Sequence, residues 1–194
     1  MFKALIMGKD SLRGIVMETI IKLLDFASTN LPDDVEWVLR NSLEKEDNPI
    51  ARSQISNMLK NLEIARKKHV PLCQDTGIPM FHLTLGENFP IKTELPGILA
   101  ESVRRATISI PLRPNAAHPL TRRNSNDDTG IRVPYIEWEV GEGDSLDIVA
   151  IPKGFGGENN SKLGMLVPGV GVRGVKEFVL DSVIEAGENH VRQP

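Results

Sequence analysis

The 194-residue sequence contains one cysteine, Cys73. A single thiol excludes a disulfide within the chain and does not indicate an oxidising compartment. It also excludes a complete structural zinc or iron–sulfur site made by this chain alone, because such sites usually take three or four thiolate or imidazole ligands. Any cluster that uses Cys73 must therefore obtain its other ligands from outside this chain.

Long apolar runs and a strong net charge are also missing. Charged residues interrupt every apolar stretch before it reaches the ~20 residues of a membrane-spanning helix. Residues 1–8 carry no credible signal-peptide cleavage site, so we expect a cytoplasmic protein with no membrane partner. The 23 Lys and Arg residues nearly balance the 26 Asp and Glu residues, and the net charge of −3 gives no electrostatic reason to expect nucleic acid.

The composition is that of a folded, globular protein. With 40% hydrophobic and 25% charged residues, the chain has enough apolar side chains for a packed core. Its length predicts a single domain over residues 1–194.

Apolar spacing predicts helices in the first third of the chain. Apolar residues recur every three or four positions from Leu12 to Ala27, and again over residues 35–43 and 51–65. Cations at positions 66–68 suit the negative end of the third helix dipole. Three consecutive helices are therefore expected before Pro71.

Alternating patterns after Pro71 predict strands. Apolar and polar residues alternate over residues 81–85, 133–140 and 145–151, and helical spacing returns over residues 94–106 and 172–186. The turn residues at 141–144 predict that the last two strands form an antiparallel hairpin. We therefore predict an α+β fold in which N-terminal helices precede mostly antiparallel strands and further helices.

The connection at residues 71–77, with the sequence PLCQDTG, is the first candidate for chemistry. It places a thiol, a carboxamide and a carboxylate side by side between a helix and a strand. Such a thiol could be a metal ligand or a nucleophile. The alternative is a small buried cysteine in a turn whose Asp75 and Thr76 only satisfy backbone amides.

Two glycine-rich segments follow later in the chain. In residues 153–162, three glycines in four positions allow backbone N–H groups to approach an anion, although the segment is not a Walker loop and could be a flexible turn. Residues 169–174 match G-x-G-x-x-G, but a dinucleotide fold needs a second strand and an acidic residue about 20 positions on. The sequence ends at Pro194, so we interpret these glycines as a helix-entry turn.

The polar, proline-broken stretch over residues 107–132 holds the remaining candidates. A stretch of this length without regular structure is usually functional or disordered. Arg113 precedes Pro114 and follows Pro111 closely, so its guanidinium is restrained and suited to a bidentate hold on a carboxylate. The alternative is a solvated basic loop. His118, in the same stretch, is either a surface residue or a base for a Cys73 nucleophile.

Three segments occur in a combination that resembles a known family. They are CQDTG at residues 73–77, LRPN at 112–115 and PKGFGGEN at 152–159. The sequence resembles the alpha subunit, or N-terminal half, of the class I iron–sulfur fumarate hydratases and the related L-tartrate dehydratases, from about Gly14 to Gly187. The loop at residues 114–132 is more similar to the tartrate dehydratase branch.

The resemblance implies roles for individual residues. In this family three cysteines hold a [4Fe–4S] cluster whose open iron acts as a Lewis acid, and Cys73 matches the first of them. Gln74 and Asp75 match residues beside the substrate, and Asp75 is similar to the carboxylate assigned to proton transfer. Arg113 matches an arginine that grips a substrate carboxylate. Gly156 matches a loop glycine whose backbone approaches the substrate.

The resemblance also implies partners. The next family cysteine lies in a Cys-Pro-Pro segment at about the position where this sequence ends, so we expect cysteines outside this chain to complete the cluster. The expected partner is a beta subunit or C-terminal half, the substrate a small dicarboxylate, and the enzyme an oligomer. The implied reaction is the reversible hydration of fumarate to malate, with L-tartrate dehydration as the alternative.

Two other classes of function remain open from the residues alone. One is a hydrolase in which Cys73 is the nucleophile, for which His118 is the only plausible base among the loop residues. The other is a non-catalytic module that binds a dicarboxylate. Neither of them requires a cluster.

Overall fold

A computed structural model describes residues 9–110, 112–154 and 160–189. Backbone contacts divide the chain into two compact units, one reaching Lys153 and the other beginning at Gly154. The assignment of the whole chain to one domain stays a prediction. Gly156, the predicted substrate-binding glycine, lies outside the described residues.

The N-terminal unit begins with the three predicted helices. They are α1 (Lys9–Thr29), α2 (Asp33–Lys45) and α3 (Pro49–Lys68). Local signals explain their ends: the Asn48 side chain accepts a hydrogen bond from the N–H of Ile50 over 2.9 Å, and Pro49 occupies the first turn of α3. After α3, His69 adopts a left-handed φ of 54° and ends the helix.

A three-stranded sheet and one more helix complete this unit. The elements are β1 (Ile78–Gly86), α4 (Leu95–Ser109), β2 (Tyr135–Gly141) and β3 (Leu146–Lys153). The strand order is β2-β1-β3, with β1 parallel to β2 and antiparallel to β3. The α+β class is confirmed, and the sheet is partly parallel, with one parallel and one antiparallel pair of strands.

The predicted hairpin between β2 and β3 is also wrong, because β1 lies between them. Residues 142–145 cross the end of β1 instead of turning between neighbours, and the N–H of Gly86 donates to the carbonyl of Ser145 over 2.8 Å. A Cβ atom at Gly86 would lie 2.5 Å from the carbonyl oxygen of Gly143, so only glycine fits under this crossing. The turn residues and the strand over residues 81–85 were visible in the sequence, whereas the insertion of that strand between β2 and β3 was not.

The hydrophobic core lies between one face of the sheet and the helices α1 and α4. Phe81, Leu83 and Leu85 of β1 point into it and are nearly inaccessible to solvent. The helices contribute apolar side chains at helical spacing: Val16, Ile20, Leu24, Leu95, Ile98, Leu99, Val103 and Ala106. This packing fixes the position of β1 and so the position of the CQDTG segment that leads into it.

The unit that begins at Gly154 contains helix α5 (Gly171–Asn189), preceded by a short 3₁₀ turn at Pro168–Val170. Gly171 has a φ of 54°, a conformation that favours glycine at this junction. A Cβ atom at Gly174 would lie 2.5 Å from the Cβ of Val170. The helix-entry interpretation of residues 169–174 is therefore confirmed. Among the described helices, none combines the length and apolarity needed to cross a membrane.

Candidate functional site

The segment at residues 70–74 is held by contacts of Leu72 with two helices. Its N–H donates to the carbonyl of Ser28 at the end of α1 over 2.9 Å, and its carbonyl accepts from the Asn61 amide of α3 over 2.8 Å. The next residue, Cys73, is exposed to solvent. The alternative of a buried structural cysteine is therefore wrong, because the backbone is anchored at Leu72 while the thiol points outward.

Asp75 shapes the turn into β1. A carboxylate oxygen of Asp75 accepts a hydrogen bond from the N–H of Gly77 over 3.2 Å. Gly77 has a φ of 77°, which glycine adopts without steric cost. The Asp75 carboxylate thus satisfies a backbone amide, and the same bond orients its carboxyl group in the loop.

Arg113 is bound directly to the CQDTG segment. Its backbone N–H donates to the Thr76 hydroxyl over 2.9 Å, and its guanidinium Nη1 donates to the carbonyl of Gln74 over 3.4 Å. Thr76 is nearly buried, whereas the Arg113 side chain is exposed. The tertiary structure therefore places an exposed cation beside the exposed thiol-bearing segment, as the predicted site requires.

The residues after Arg113 are fixed by two asparagine amides. The Asn115 side chain donates to the carbonyl of Gly77 over 3.2 Å, which ties this irregular segment to the CQDTG turn. The Asn124 side chain donates to the carbonyl of Pro114 over 2.6 Å. Helix α4 extends to Ser109, and residues 112–132 are ordered by specific hydrogen bonds rather than by helices or strands.

Asp128 is the most buried charged residue of this stretch, with 1% of its surface exposed. One of its carboxylate oxygens accepts the N–H groups of Asn115 and Ala116 over 3.0 and 2.9 Å. Burial raises the pKa of Asp128 to about 6, although these two hydrogen bonds favour the ionised form. Its φ of 58° is a conformation that aspartate tolerates better than most residues.

The neighbouring Asp127 has a different set of partners. Its carboxylate accepts the N–H and the hydroxyl of Thr129 over 3.1 and 2.8 Å, and the Arg104 guanidinium of α4 donates to it over 3.2 Å. Burial opposes its ionisation, but hydrogen bonds from Ser125 and Thr129 outweigh that effect and lower the pKa of Asp127. Asp127 therefore anchors the loop to α4, while Asp128 anchors it to the segment that follows Arg113.

A cleft of about 470 Å³ opens beside these segments. Its lining includes Ile78, directly after the CQDTG segment, and Ala116, three residues after Arg113. His118 and Arg123 also line it. The Nδ1 atom of His118 accepts backbone N–H groups of the following turn, so the proton of the neutral ring lies on Nε2.

Four of the five predicted site residues are thus brought together: Cys73, Gln74, Asp75 and Arg113. The convergence of Gly156 on the same place stays a prediction. No role for Asn115 or Asp128, which hold the Arg113 segment, was predicted from the sequence. The only available signal was the run NDDTG at residues 126–130, which is rich in side chains that bind backbone amides in turns.

Comparison with known proteins assigns the chain to a family. The sequence profile described as fumarate hydratase (Fumerase) matches residues 17–191. The chain belongs to the fumarate hydratase family. The matched region includes both the Cys73 segment and Arg113. The family membership confirms the resemblance found in the sequence.

Three curated relatives are similar over most of the chain. A protein of Methanocaldococcus jannaschii, provisionally named L(+)-tartrate dehydratase subunit alpha, is 38% identical over 177 residues, covering 89% of this chain and 62% of its own length. The L(+)-tartrate dehydratase alpha subunit of Escherichia coli O157:H7 is 33% identical over 167 residues, covering 86% and 55%. The subunit of the same name from Shigella sonnei is 31% identical with the same coverage, 86% and 55%.

This fumarate hydratase family member therefore spans between 55% and 62% of the length of these relatives. The described residues contain no group of three or more His, Cys, Asp or Glu side chains placed to hold a metal ion. An exposed thiol on an anchored loop does fit a single ligand of a cluster shared with other protein. The donor set of this chain thus fits a contribution to an iron–sulfur site but not a complete one.

Proposed function

We propose that this chain is one part of an iron–sulfur hydro-lyase that acts on a four-carbon dicarboxylate. The observation that carries the proposal is the attachment of Arg113 to the CQDTG segment, by its N–H to Thr76 and its guanidinium to the carbonyl of Gln74. A cation is thereby held beside a thiol, a carboxamide and a carboxylate on an exposed surface. Membership of the fumarate hydratase family supports the same assignment.

Arg113 is the proposed binding group for a substrate carboxylate. A guanidinium has five N–H donors, and the 3.4 Å bond to the Gln74 carbonyl uses one of them. The exposed fork can therefore still donate two parallel hydrogen bonds to a carboxylate. The exposed Gln74 side chain lies next to this position and can donate its amide to the same substrate.

Asp75 is the proposed proton-transfer residue. Its carboxylate is oriented by the hydrogen bond from the N–H of Gly77 at 3.2 Å. A carboxylate held in one direction can accept a proton from a substrate carbon or return one to it, provided the substrate is positioned by Arg113. The backbone of Gly156 is proposed to contact the same substrate from the glycine-rich segment.

Cys73 is proposed to bind a [4Fe–4S] cluster as one of its thiolate ligands, with the other cysteines supplied from outside this chain. When bound, the cluster supplies a Lewis-acidic iron for the departing hydroxyl group. The contribution of this chain is to present the Cys73 thiolate on a loop anchored at Leu72. This loop lies next to the Arg113 guanidinium, which is proposed to bind the substrate carboxylate.

The partner is proposed to be a beta subunit or a C-terminal half, which is consistent with relatives named as alpha subunits. The assembled enzyme is proposed to be an oligomer in the cytoplasm. Part of the sheet face opposite the core is available for such an assembly, because Tyr135, Val149 and Ile151 are about half exposed there. Neighbouring apolar side chains that are exposed together can mark a surface that binds another protein.

The substrate is proposed to be fumarate, hydrated to malate, or L-tartrate, from which water is removed. The names of the curated relatives favour L-tartrate, while the description of the family favours fumarate. Both are four-carbon dicarboxylates, so Arg113 would serve the same purpose with either. A direct comparison of the two substrates decides between them.

The test is anaerobic reconstitution of the assembled enzyme with iron and sulfide, followed by assays with fumarate and with L-tartrate. Turnover of at least one of them that depends on the cluster supports the proposal. The 194-residue chain alone is the matched control, and it should be inactive because it supplies one thiolate. Turnover by the isolated chain, or by cluster-free enzyme, would contradict the proposal.

The hydrolase alternative is disfavoured by the contacts of His118. Its Nδ1 atom is engaged by the N–H groups of Leu120 and Thr121 at 3.2 Å, and within the described ranges it makes no hydrogen bond with Cys73. The non-catalytic alternative predicts that a reconstituted enzyme binds dicarboxylate without turnover. The same reconstitution experiment therefore separates it from the hydro-lyase.

A further inference from the structure

The segment from Arg113 to Ala116 has no regular secondary structure, so its position depends on individual hydrogen bonds. On one side it is bound to the CQDTG segment by the bonds from Arg113 to Thr76 and from Asn115 to Gly77. On the other side two consecutive N–H groups, those of Asn115 and Ala116, point to a single oxygen of Asp128. An irregular segment held in this way is expected to move if the acceptor is lost.

The environment of Asp128 disfavours the ionised form of its carboxylate. Only 1% of its surface is exposed, and ionised carboxylates are seldom buried so completely unless they are paired. Asp127, the nearest acidic neighbour, repels its charge. Among the described residues, the hydrogen-bond partners of the Asp128 carboxylate are the two N–H groups of Asn115 and Ala116, which belong to the segment that carries Arg113.

We propose that Asp128 is a positioning residue for the substrate-binding segment, acting on Arg113 through the backbone of Asn115 and Ala116. The inference rests on the proposed function, because it assumes that Arg113 binds a substrate carboxylate. Asp128 does not itself touch the substrate in this proposal. Its carboxylate sets the path of the chain two residues beyond Arg113, and thereby the direction of the guanidinium beside Gln74.

The same carboxylate also shapes the cleft next to the site. Ala116, whose N–H is bound to Asp128, forms part of the lining, and so does Thr129, which follows Asp128 directly. Loss of the acceptor would release Ala116 from this wall of the cleft, whereas Thr129 is held by Asp127. The effect is therefore expected in substrate binding first, rather than in the chemistry at Asp75.

Two variants of Asp128 separate the effect of its hydrogen-bond acceptor from the effect of its backbone conformation. Asp128 has a φ of 58°, which both glycine and asparagine tolerate. Asp128→Gly removes the acceptor and keeps this conformation, whereas Asp128→Asn keeps an oxygen that can accept the two N–H groups. Asp127→Asn is the matched control, because it alters the neighbouring carboxylate that binds Thr129 and Arg104 instead.

The experiment measures KM and kcat of the assembled, reconstituted enzyme with L-tartrate and with fumarate, at matched iron content. Asp128→Gly should raise KM about tenfold or more with a smaller change in kcat, while Asp128→Asn and Asp127→Asn should each change KM less than about threefold. Amide hydrogen exchange over residues 112–117 should be faster in Asp128→Gly and close to wild type in the other two variants.

A wild-type KM for Asp128→Gly would overturn the inference, and so would an equal rise in KM for all three variants. Arg113→Ala, measured in parallel, distinguishes this failure from failure of the proposed function. If Arg113→Ala impairs turnover and Asp128→Gly does not, only the positioning role is wrong. If neither variant affects KM, the binding role of Arg113 and the inference that rests on it are both wrong.

Discussion

The backbone N–H of Arg113 donates a hydrogen bond of 2.9 Å to the hydroxyl of Thr76, a residue 37 positions earlier in the chain. The same hydroxyl lies within 3.5 Å of the Arg113 carbonyl, to which it can donate. Thr76 thus holds the main chain of Arg113 while the guanidinium remains exposed. A cation on a fixed backbone loses less conformational freedom when it binds an anion than one on a mobile loop, which favours recognition.

Arg113 should matter for substrate recognition far more than for folding. Removal of two charge-assisted hydrogen bonds in Arg113→Ala is expected to lower kcat/KM of the assembled enzyme by at least about tenfold. The melting temperature should change little, because the side chain is exposed and surface substitutions usually cost less than about 0.5 kcal/mol. Arg105→Ala is a suitable control, since its guanidinium pairs with Glu101 on α4. Unchanged turnover in Arg113→Ala would refute the binding role.

Cys73 should matter for iron content and not for the fold. Cys73→Ser keeps the size of the side chain but replaces a soft thiolate with a poor iron ligand. Iron and sulfide analysis of the assembled enzyme after anaerobic reconstitution should show loss of the cluster, with far-UV circular dichroism unchanged because Cys73 is exposed. Cys73→Ala is expected to behave in the same way. A full complement of iron in either variant would contradict the proposed ligand.

The Thr76 hydroxyl should contribute to stability as well as to the site. Thr76→Val keeps the shape of the side chain but leaves the N–H of Arg113 without its acceptor, at an expected cost of about 1–3 kcal/mol in the free energy of unfolding. Thr76→Ser retains the hydroxyl and should cost clearly less. Urea unfolding of the two variants gives the comparison. Equal stabilities for them would mean that the hydroxyl contributes nothing.

Ionisation of Asp128 should lower the free energy of unfolding as the pH rises from about 4 to about 6. Its pKa is raised from 3.8 in the unfolded chain to about 6 in the fold, so the folded protein binds more protons in this window and loses stability as they leave. This difference in pKa between the folded and the unfolded chain corresponds to roughly 3 kcal/mol in the free energy of unfolding. Ordinary carboxylates with lowered pKa, such as Asp127, act in the opposite direction and at lower pH.

The wild type must therefore be compared with Asp128→Asn at each pH. The free energy of unfolding of the variant, relative to that of the wild type, should rise between pH 4 and pH 6 and then level off. Chemical denaturation at several pH values measures this difference. A difference that stays constant over this range would show that Asp128 does not titrate there.

The helices were determined by the sequence itself, because their signals are local. The apolar spacing of α1, α3 and α4 and the glycine entry to α5 all act within a few residues, and each was predicted close to its observed position. The single cysteine likewise determined, without any structure, that this chain can supply only one thiolate.

Only the tertiary structure decided which strands are neighbours. Alternation of apolar residues identifies a strand and its buried face, but it carries no information about the partner at each edge. β1 was therefore not expected between β2 and β3, although the turn residues at 141–144 were recognised. The narrow passage between Gly86 and Gly143 is a consequence of that insertion.

The candidate site divides in the same way. Cys73, Gln74, Asp75 and Arg113 were found from motifs in the sequence. The hydrogen bonds that hold the Arg113 segment were not predicted. The bond from Arg113 to Thr76 and the bond from Asn115 to Asp128 join distant positions of irregular backbone, where no periodicity in the sequence indicates burial. Burial of the Asp128 carboxylate depends on the packing of several segments around it, and that packing exists only once the chain has folded.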